Sequence, residues 1–260
     1  MAQYLINDTT LTALGDKVRE KTGETAQLSL DNVINTEVDK VFDAGKKSEY
    51  DAFWDKYQNN GNRTHYAFGF AGSGWTTATF KPKYNLIVSP TARYMFAGSL
   101  YNADIAEILA NHNIILDTSG VSSADGFSHF CDYSGPSRFP TINTTGCANI
   151  NSMFYYSPML HSVDKLILKD DGTQTFTNAF IGCSGLENLI IEGTIGQNGF
   201  NVQWSTNLTH DSLMSIINAL QDKTGDTSGT IWTVTLGADN IAKLTDEEQQ
   251  IARDKGWVIE

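Results

Sequence analysis

The strongest constraint on this chain is a recurring aromatic string. Tyr94-Met-Phe-Ala-Gly-Ser99, Ser128-His-Phe-Cys-Asp-Tyr-Ser134, Ser152-Met-Phe-Tyr-Tyr-Ser157 and Asn178-Ala-Phe-Ile-Gly-Cys183 share one shape, and Val202-Gln-Trp-Ser-Thr-Asn207 carries Trp in place of Phe. Aligned on Phe96, Phe130, Phe154, Phe180 and Trp204, the strings lie 34, 24, 26 and 24 residues apart. Apolar alternations follow several of them, such as Leu160, Val163, Leu166 and Leu168, or Leu186, Leu189 and Ile191. A unit of that length holds one turn of coil and one short strand, too little to bury its own apolar face. Stacked units bury one another's Phe and Leu positions in a continuous core. The longer first interval is explained by an inserted helix over Asn102–Asn111, with Ile105, Ile108 and Leu109 on one face.

The first sixty residues have a different texture. Asp8 or Thr9 caps a short helix through Leu11, Leu14 and Val18 that stops at Gly23. A second apolar stripe runs from Leu30 to Tyr57 at three- and four-residue steps, interrupted by Gly45. It either packs against its own chain or associates into a helical bundle. Asn59-Asn-Gly-Asn62 then ends helical periodicity, and Tyr66–Phe70 and Leu86–Val88 read as strands. Near the other end, Thr209 or Asp211 opens an amphipathic helix through Leu213, Ile216, Ile217 and Leu220, followed by a strand over Ile231–Leu236. Thr245-Asp-Glu-Glu248 is a capping box for a helix that Gly256 ends, and Trp257–Ile259 adds a last strand. Asp170-Asp-Gly172 reads as a hairpin turn. The fold class expected is α+β: an N-terminal helical attachment or oligomerisation segment over 1–60, a repeat stack over 61–236, and a C-terminal cap over 237–260.

Charge and chemistry narrow the function. With 30 acidic against 18 basic residues the chain carries a net charge of −12, and no Lys/Arg cluster is available for phosphates, so nucleic acid is not an expected partner. The apolar runs are far shorter than the roughly 20 residues of a membrane span, so no membrane insertion is expected. Met1–Asp8 lacks a basic region followed by an apolar one, and no signal peptide is expected there. Cys131, Cys147 and Cys183 are odd in number and lack CxxC spacing, and His65, His112, His129, His161 and His210 are scattered, so neither a disulfide framework nor a metal site is expected. The glycines at 69, 72 and 74 lack the Lys of a phosphate loop, and no G-x-S-x-G occurs. No catalytic residue and no cofactor are assigned. The candidate binding residues are aromatics set among Asn and Ser: Tyr133, Tyr155, Tyr156 and Trp75, with Trp204 in a similar context. Such rings make low-entropy contacts to glycans or proteins, and one of the adjacent pair Tyr155 and Tyr156 is expected to point outward.

The Met-Phe-x-x-Ser and Ala-Phe-x-x-Cys-x-x-Leu strings, followed by Leu-rich strands, resemble BspA-like leucine-rich repeats, whose general class has a period of roughly 20–29 residues. Tyr4–Leu14, Val18–Gly23, Ala44–Trp54, Ile195–Phe200, Leu244–Gln249 and Asp254–Trp257 resemble tail-associated proteins from phages and prophages of gut Firmicutes. The resemblance implies a leucine-rich-repeat-like solenoid in a non-enzymatic virion component, made in the bacterial cytoplasm and carried in the tail as a tail-fibre or baseplate receptor-binding protein. The N-terminal segment would contact other tail or baseplate proteins and trimerise, and the repeats would face a host cell-surface glycan or protein. The alternative is a BspA-like adhesin or protein-interaction module at the bacterial surface. A glycan-cleaving enzyme would need paired carboxylates on facing elements.

Overall fold

The computed structural model describes residues 80–133 and 135–260, within the second of two units of the chain, Asn60–Glu260. The expected N-terminal helices, the strand over 66–70 and Trp75 lie outside the described residues. The elements, in chain order, are β1 (Leu86–Ile87), α1 (Ile105–Asn111), β2 (Leu116–Asp117), β3 (Arg138–Asn143), β4 (Ser162–Ile167), β5 (Asn188–Glu192), α2 (His210–Ala219), β6 (Trp232–Val234), α3 (Ala238–Ile241), α4 (Asp246–Asp254) and β7 (Trp257–Ile259). They form three small parallel sheets, β1-β2, β3-β4-β5 and β6-β7, none closed into a barrel.

Register explains how such short strands persist. Arg138 lies opposite Ser162, Ser162 opposite Asn188, and Trp232 opposite Trp257, so each strand pairs with the one a single coil further along. Isolated parallel bridges, Asn149 with Thr175 and Asn201 with Thr235, extend the pairing beyond the strands. The alternation is that of a half-buried strand: in β5, Leu189 and Ile191 face inward while Asn188, Ile190 and Glu192 face out.

The core is a column of phenylalanines in mostly edge-to-face contact. Phe80 meets Phe96 at 6.4 Å between centroids, Phe96 meets Phe130 at 5.3 Å, Phe130 meets Phe154 at 6.2 Å, Phe154 meets Phe180 at 5.7 Å and Phe180 meets Phe200 at 5.4 Å. Phe139, on β3, braces three of them. Each buried ring contributes about 1.5–3 kcal/mol through apolar burial, and each well-oriented pair adds about 0.5–1.5 kcal/mol. The column joins consecutive coils, so no coil's burial is independent of its neighbours.

Two details of the aromatic alignment change in three dimensions. The amide of Phe96 donates to the Phe130 carbonyl (2.8 Å), that of Cys131 to Met153 (2.8 Å) and that of Phe154 to Ala179 (2.9 Å). These bonds make Phe96, Cys131, Phe154 and Phe180 equivalent, and they place Phe130 in the column of Met95 and Met153. Adjacent positions of this tight turn both reach the core, so an aromatic in either slot satisfies the same pattern. The amides of His161, Glu187 and Thr209 each bond the preceding coil, at Ser137, His161 and Glu187 respectively. Trp204 stands five residues before Thr209, as Gly182 does before Glu187 and Tyr156 before His161. Trp204 is therefore in the column of Gly182 and Tyr156 and is 55% exposed, while Val202 is the buried residue of that coil.

The inserted helix forms as α1, with the Asp104 carboxylate capping the Glu107 amide at 2.8 Å. Asp170–Gly172 turns, but between parallel elements rather than in a hairpin. There the Asp171 carboxylate accepts from the amide and hydroxyl of Thr173 at 2.9 and 2.7 Å. In the last segment the capping box forms as read, with Thr245 and Glu248 satisfying each other's free amides. The short helix α3 has no counterpart in the sequence reading. It is held by buried Asn240, whose amide donates to the Leu236 and Ser205 carbonyls at 2.9 and 3.1 Å. Among the described residues no helix is long and apolar enough to cross a membrane.

Candidate binding surface

The coil segments that carry the first four aromatic strings turn twice through left-handed backbone. Tyr94, His129, Ser152 and Asn178 occupy the first such column, with φ between +54° and +59°. Gly98, Tyr133, Tyr156 and Gly182 occupy the second, with φ of +57°, +55°, +52° and +79°. The assignment of the second column follows from the backbone, because the Gly98 amide donates to Asp132, that of Tyr133 to Tyr155 and that of Tyr156 to Ile181. Left-handed backbone costs an L-residue with a bulky side chain about 1–2 kcal/mol, and glycine essentially nothing. The outer coils place glycine here; the two middle coils place tyrosine.

Those two tyrosines form an exposed ridge. Tyr133 is 60% and Tyr156 51% exposed, and their rings are nearly parallel, 10° apart with centroids at 6.3 Å. Tyr155, half-buried, stands perpendicular to both, at 6.1 Å from Tyr133 and 4.6 Å from Tyr156. The expected division of the adjacent pair holds in graded form: Tyr156 points out and Tyr155 braces it. Desolvation pushes the Tyr155 phenol above the ordinary tyrosine range, and the neighbouring Tyr156 and Tyr133 phenols reinforce the shift, so this ring stays neutral. On the far side, Gly182 has no side chain, which lets the Tyr156 ring lie over it. A Cβ there would stand 3.2 Å from a ring carbon. Tyr133, Tyr155 and Tyr156 are thus brought together, and Trp204 follows Gly182 in the same column.

Next to the ridge lies a polar pair that sequence reasoning did not single out. His129 stacks on Tyr94, 3° from parallel at 4.9 Å, and its Nδ1 lies 2.6 Å from Asp132 Oδ2. Asp132 is 1% exposed and its Oδ1 has no hydrogen-bond partner. The only hint in the sequence is the His-x-x-Asp spacing, which is too common to carry weight. Burial pushes the Asp132 carboxyl above its ordinary value, against the opposing pull of the His129 hydrogen bond and charge. A carboxyl raised in the folded state stabilises below its unfolded pKa near 3.8, and that contribution is lost as pH rises through the folded value. Asp132→Asn is therefore expected to gain on the wild type progressively as pH rises above the unfolded value of 3.8 in urea denaturation. Parallel stability profiles for the two proteins would refute this assignment.

Several other polar groups among the described residues are tied up structurally. On the sheet face the Arg138 guanidinium binds the Asp164 carboxylate through two N–H groups at 2.7 and 3.0 Å, with Asp104 at 3.6 Å, and Lys165 pairs with Glu192 at 2.7 Å. His210 contacts Glu248 at 2.8 Å, and His112 contacts its own helix at the Ile108 carbonyl, also at 2.8 Å. Cys131, Cys147 and Cys183 are free and buried. Burial pushes their thiols up, to about 11 for Cys147 and about 12 for Cys183, which makes them poor nucleophiles and poor ligands. Among the described residues no group of His, Cys, Asp and Glu has the arrangement of a metal site. Comparison with protein-family models, with curated proteins and with solved structures gives no match.

Proposed function

We propose that this chain is a non-enzymatic attachment protein, a tail-fibre or baseplate receptor-binding component of a phage virion that contacts the host cell surface. In this reading residues 80–260 form a leucine-rich-repeat-like solenoid closed by the β6–β7 segment, and the N-terminal segment joins other tail proteins as a trimer. The observation that carries the reading is the tyrosine ridge. Two coils keep a bulky ring in backbone that their neighbours fill with glycine, and backbone strain retained at an exposed aromatic cluster is characteristic of a contact site. The ion pairs along the sheet face support the non-enzymatic part, since those carboxylates are committed to Arg138 and Lys165.

The test is attachment of the fluorescently labelled full chain to intact cells of gut Firmicutes. Saturable binding is expected, and Tyr133→Ala combined with Tyr156→Ala is expected to reduce it at least tenfold with an unchanged melting temperature. Undiminished attachment by the double variant would remove the ridge from the function. Light scattering on the full chain is expected to give a mass near three times the 28.6 kDa of one chain; a mass of one chain would remove the trimer.

A further inference from the structure

We infer that the ridge is a platform for a neutral, extended glycan running along the stacking axis, with Trp204 as its second platform. The inference rests on the attachment reading above and names the chemistry of the ligand.

The ridge is uncharged. The positions immediately before the ridge column are Ala97, Asp132, Tyr155, Ile181 and Gln203, and Asp132, the only ionisable carboxyl among them, is buried and held by His129. The column itself reads Gly98, Tyr133, Tyr156, Gly182, Trp204, without a charge. The ridge residues themselves offer an anionic polymer no cation and a basic peptide no exposed carboxylate, on a chain of net charge −12. The surface offers flat apolar ring faces, with the exposed Gln203, Thr206 and Asn207 beside Trp204. That pairing of a flat apolar face with amide and hydroxyl groups suits a pyranose, whose C–H face is apolar and whose rim is hydroxylated.

The exposed aromatic area is small. Tyr and Trp side chains present about 150–250 Å² each. At the exposures of Tyr133, Tyr156 and Trp204 the ridge offers roughly 250–400 Å², against about 800 Å² per partner in a standard protein–protein interface. A folded receptor would need a much larger patch, whereas a few sugar rings fit this one.

The spacing of the coils also suits a sugar chain. Coils in a parallel stack repeat at about 4.8 Å, so Tyr156 and Trp204, separated by the Gly182 coil, lie about 10 Å apart along the axis. The coil between them contributes no side chain at this column. An extended chain advancing about one sugar per coil can therefore run from Tyr133 over the Tyr156 ring, which covers Gly182, to Trp204. The perpendicular Tyr155 holds the first two rings in place, so little ordering cost falls on binding.

The experiment is calorimetric titration of the full chain with three neutral probes, cellohexaose, chitohexaose and maltohexaose. At least one is expected to bind, more tightly than its own disaccharide. Tyr156→Ala and Trp204→Ala are each expected to weaken it at least tenfold, while Ile231→Ala, which trims an exposed apolar residue elsewhere, leaves it unchanged. Failure of all three hexamers at millimolar concentration would overturn the inference, as would binding that survives both aromatic substitutions. If the hexamers fail while ridge variants still lose cell attachment, the ridge meets a protein receptor and the attachment reading stands. If attachment is also indifferent to the ridge, both fail.

Discussion

Phe130→Ala is expected to cost about 3–5 kcal/mol of unfolding free energy, the range for truncating a fully enclosed aromatic side chain. Phe130 touches four other rings, Phe96 and Phe154 from the coils on either side and Phe127 and Phe139 from its own. The cavity would sit between coils held by short strands, where little else can move in to fill it. Phe130→Met separates this cavity effect from mere loss of an aromatic. Methionine already occupies the equivalent slot in the coils on either side, at Met95 and Met153, and a flexible side chain of similar volume is expected to cost under about 1.5 kcal/mol. Urea denaturation of the two variants measures both numbers. Equal losses for Ala and Met would argue against the register that places Phe130 beside those methionines.

Gly193→Ala is the second large effect, expected at about 2–6 kcal/mol from two independent sources. Gly193 follows β5 with φ of +97°, and a Cβ would stand 2.3 Å from the backbone carbonyl oxygen of Leu168 in the preceding coil. Strain at such backbone costs about 1–3 kcal/mol, and overpacking against a carbonyl that cannot rotate away adds about 1–3 kcal/mol. Gly199 provides the internal control, since it has the same φ of +97° with nothing within 4 Å of its Cβ position. Gly199→Ala should therefore show the strain alone. A Gly193→Ala loss no greater than that of Gly199→Ala would mean that the coils are not packed as closely as the backbone indicates.

Much of the fold was legible because it depends on local chemistry. The Thr245–Glu248 capping box, the amphipathic helix α2, the inserted helix α1 and the β6 and β7 strands all follow from side chains within a few residues of one another. Helix α3 was not legible. Ala238–Ile241 is a single turn with no side-chain cap, and what holds it is the Asn240 amide bonding carbonyls up to 38 residues away. The candidate surface was legible as a composition, three tyrosines and a tryptophan among polar residues. Its form was not, because exposure at each position depends on which turn residue is left-handed, and the aromatic spacing was blind to a shift of one residue at Phe130.

The sequence alone showed an aromatic string that recurs from Phe96 to Trp204 at intervals of 34, 24, 26 and 24 residues, with apolar positions that a segment of that size cannot bury by itself. Tertiary structure decided the register between units. Backbone bonds from Cys131 to Met153 and from Tyr133 to Tyr155 align Tyr133 with Tyr156 rather than with a core position, and they turn Trp204 outward in favour of Val202. The physical reason is that apolar periodicity records only how many residues must be buried per coil. Which of two adjacent residues faces solvent is set by the hydrogen bonds each coil makes to the next.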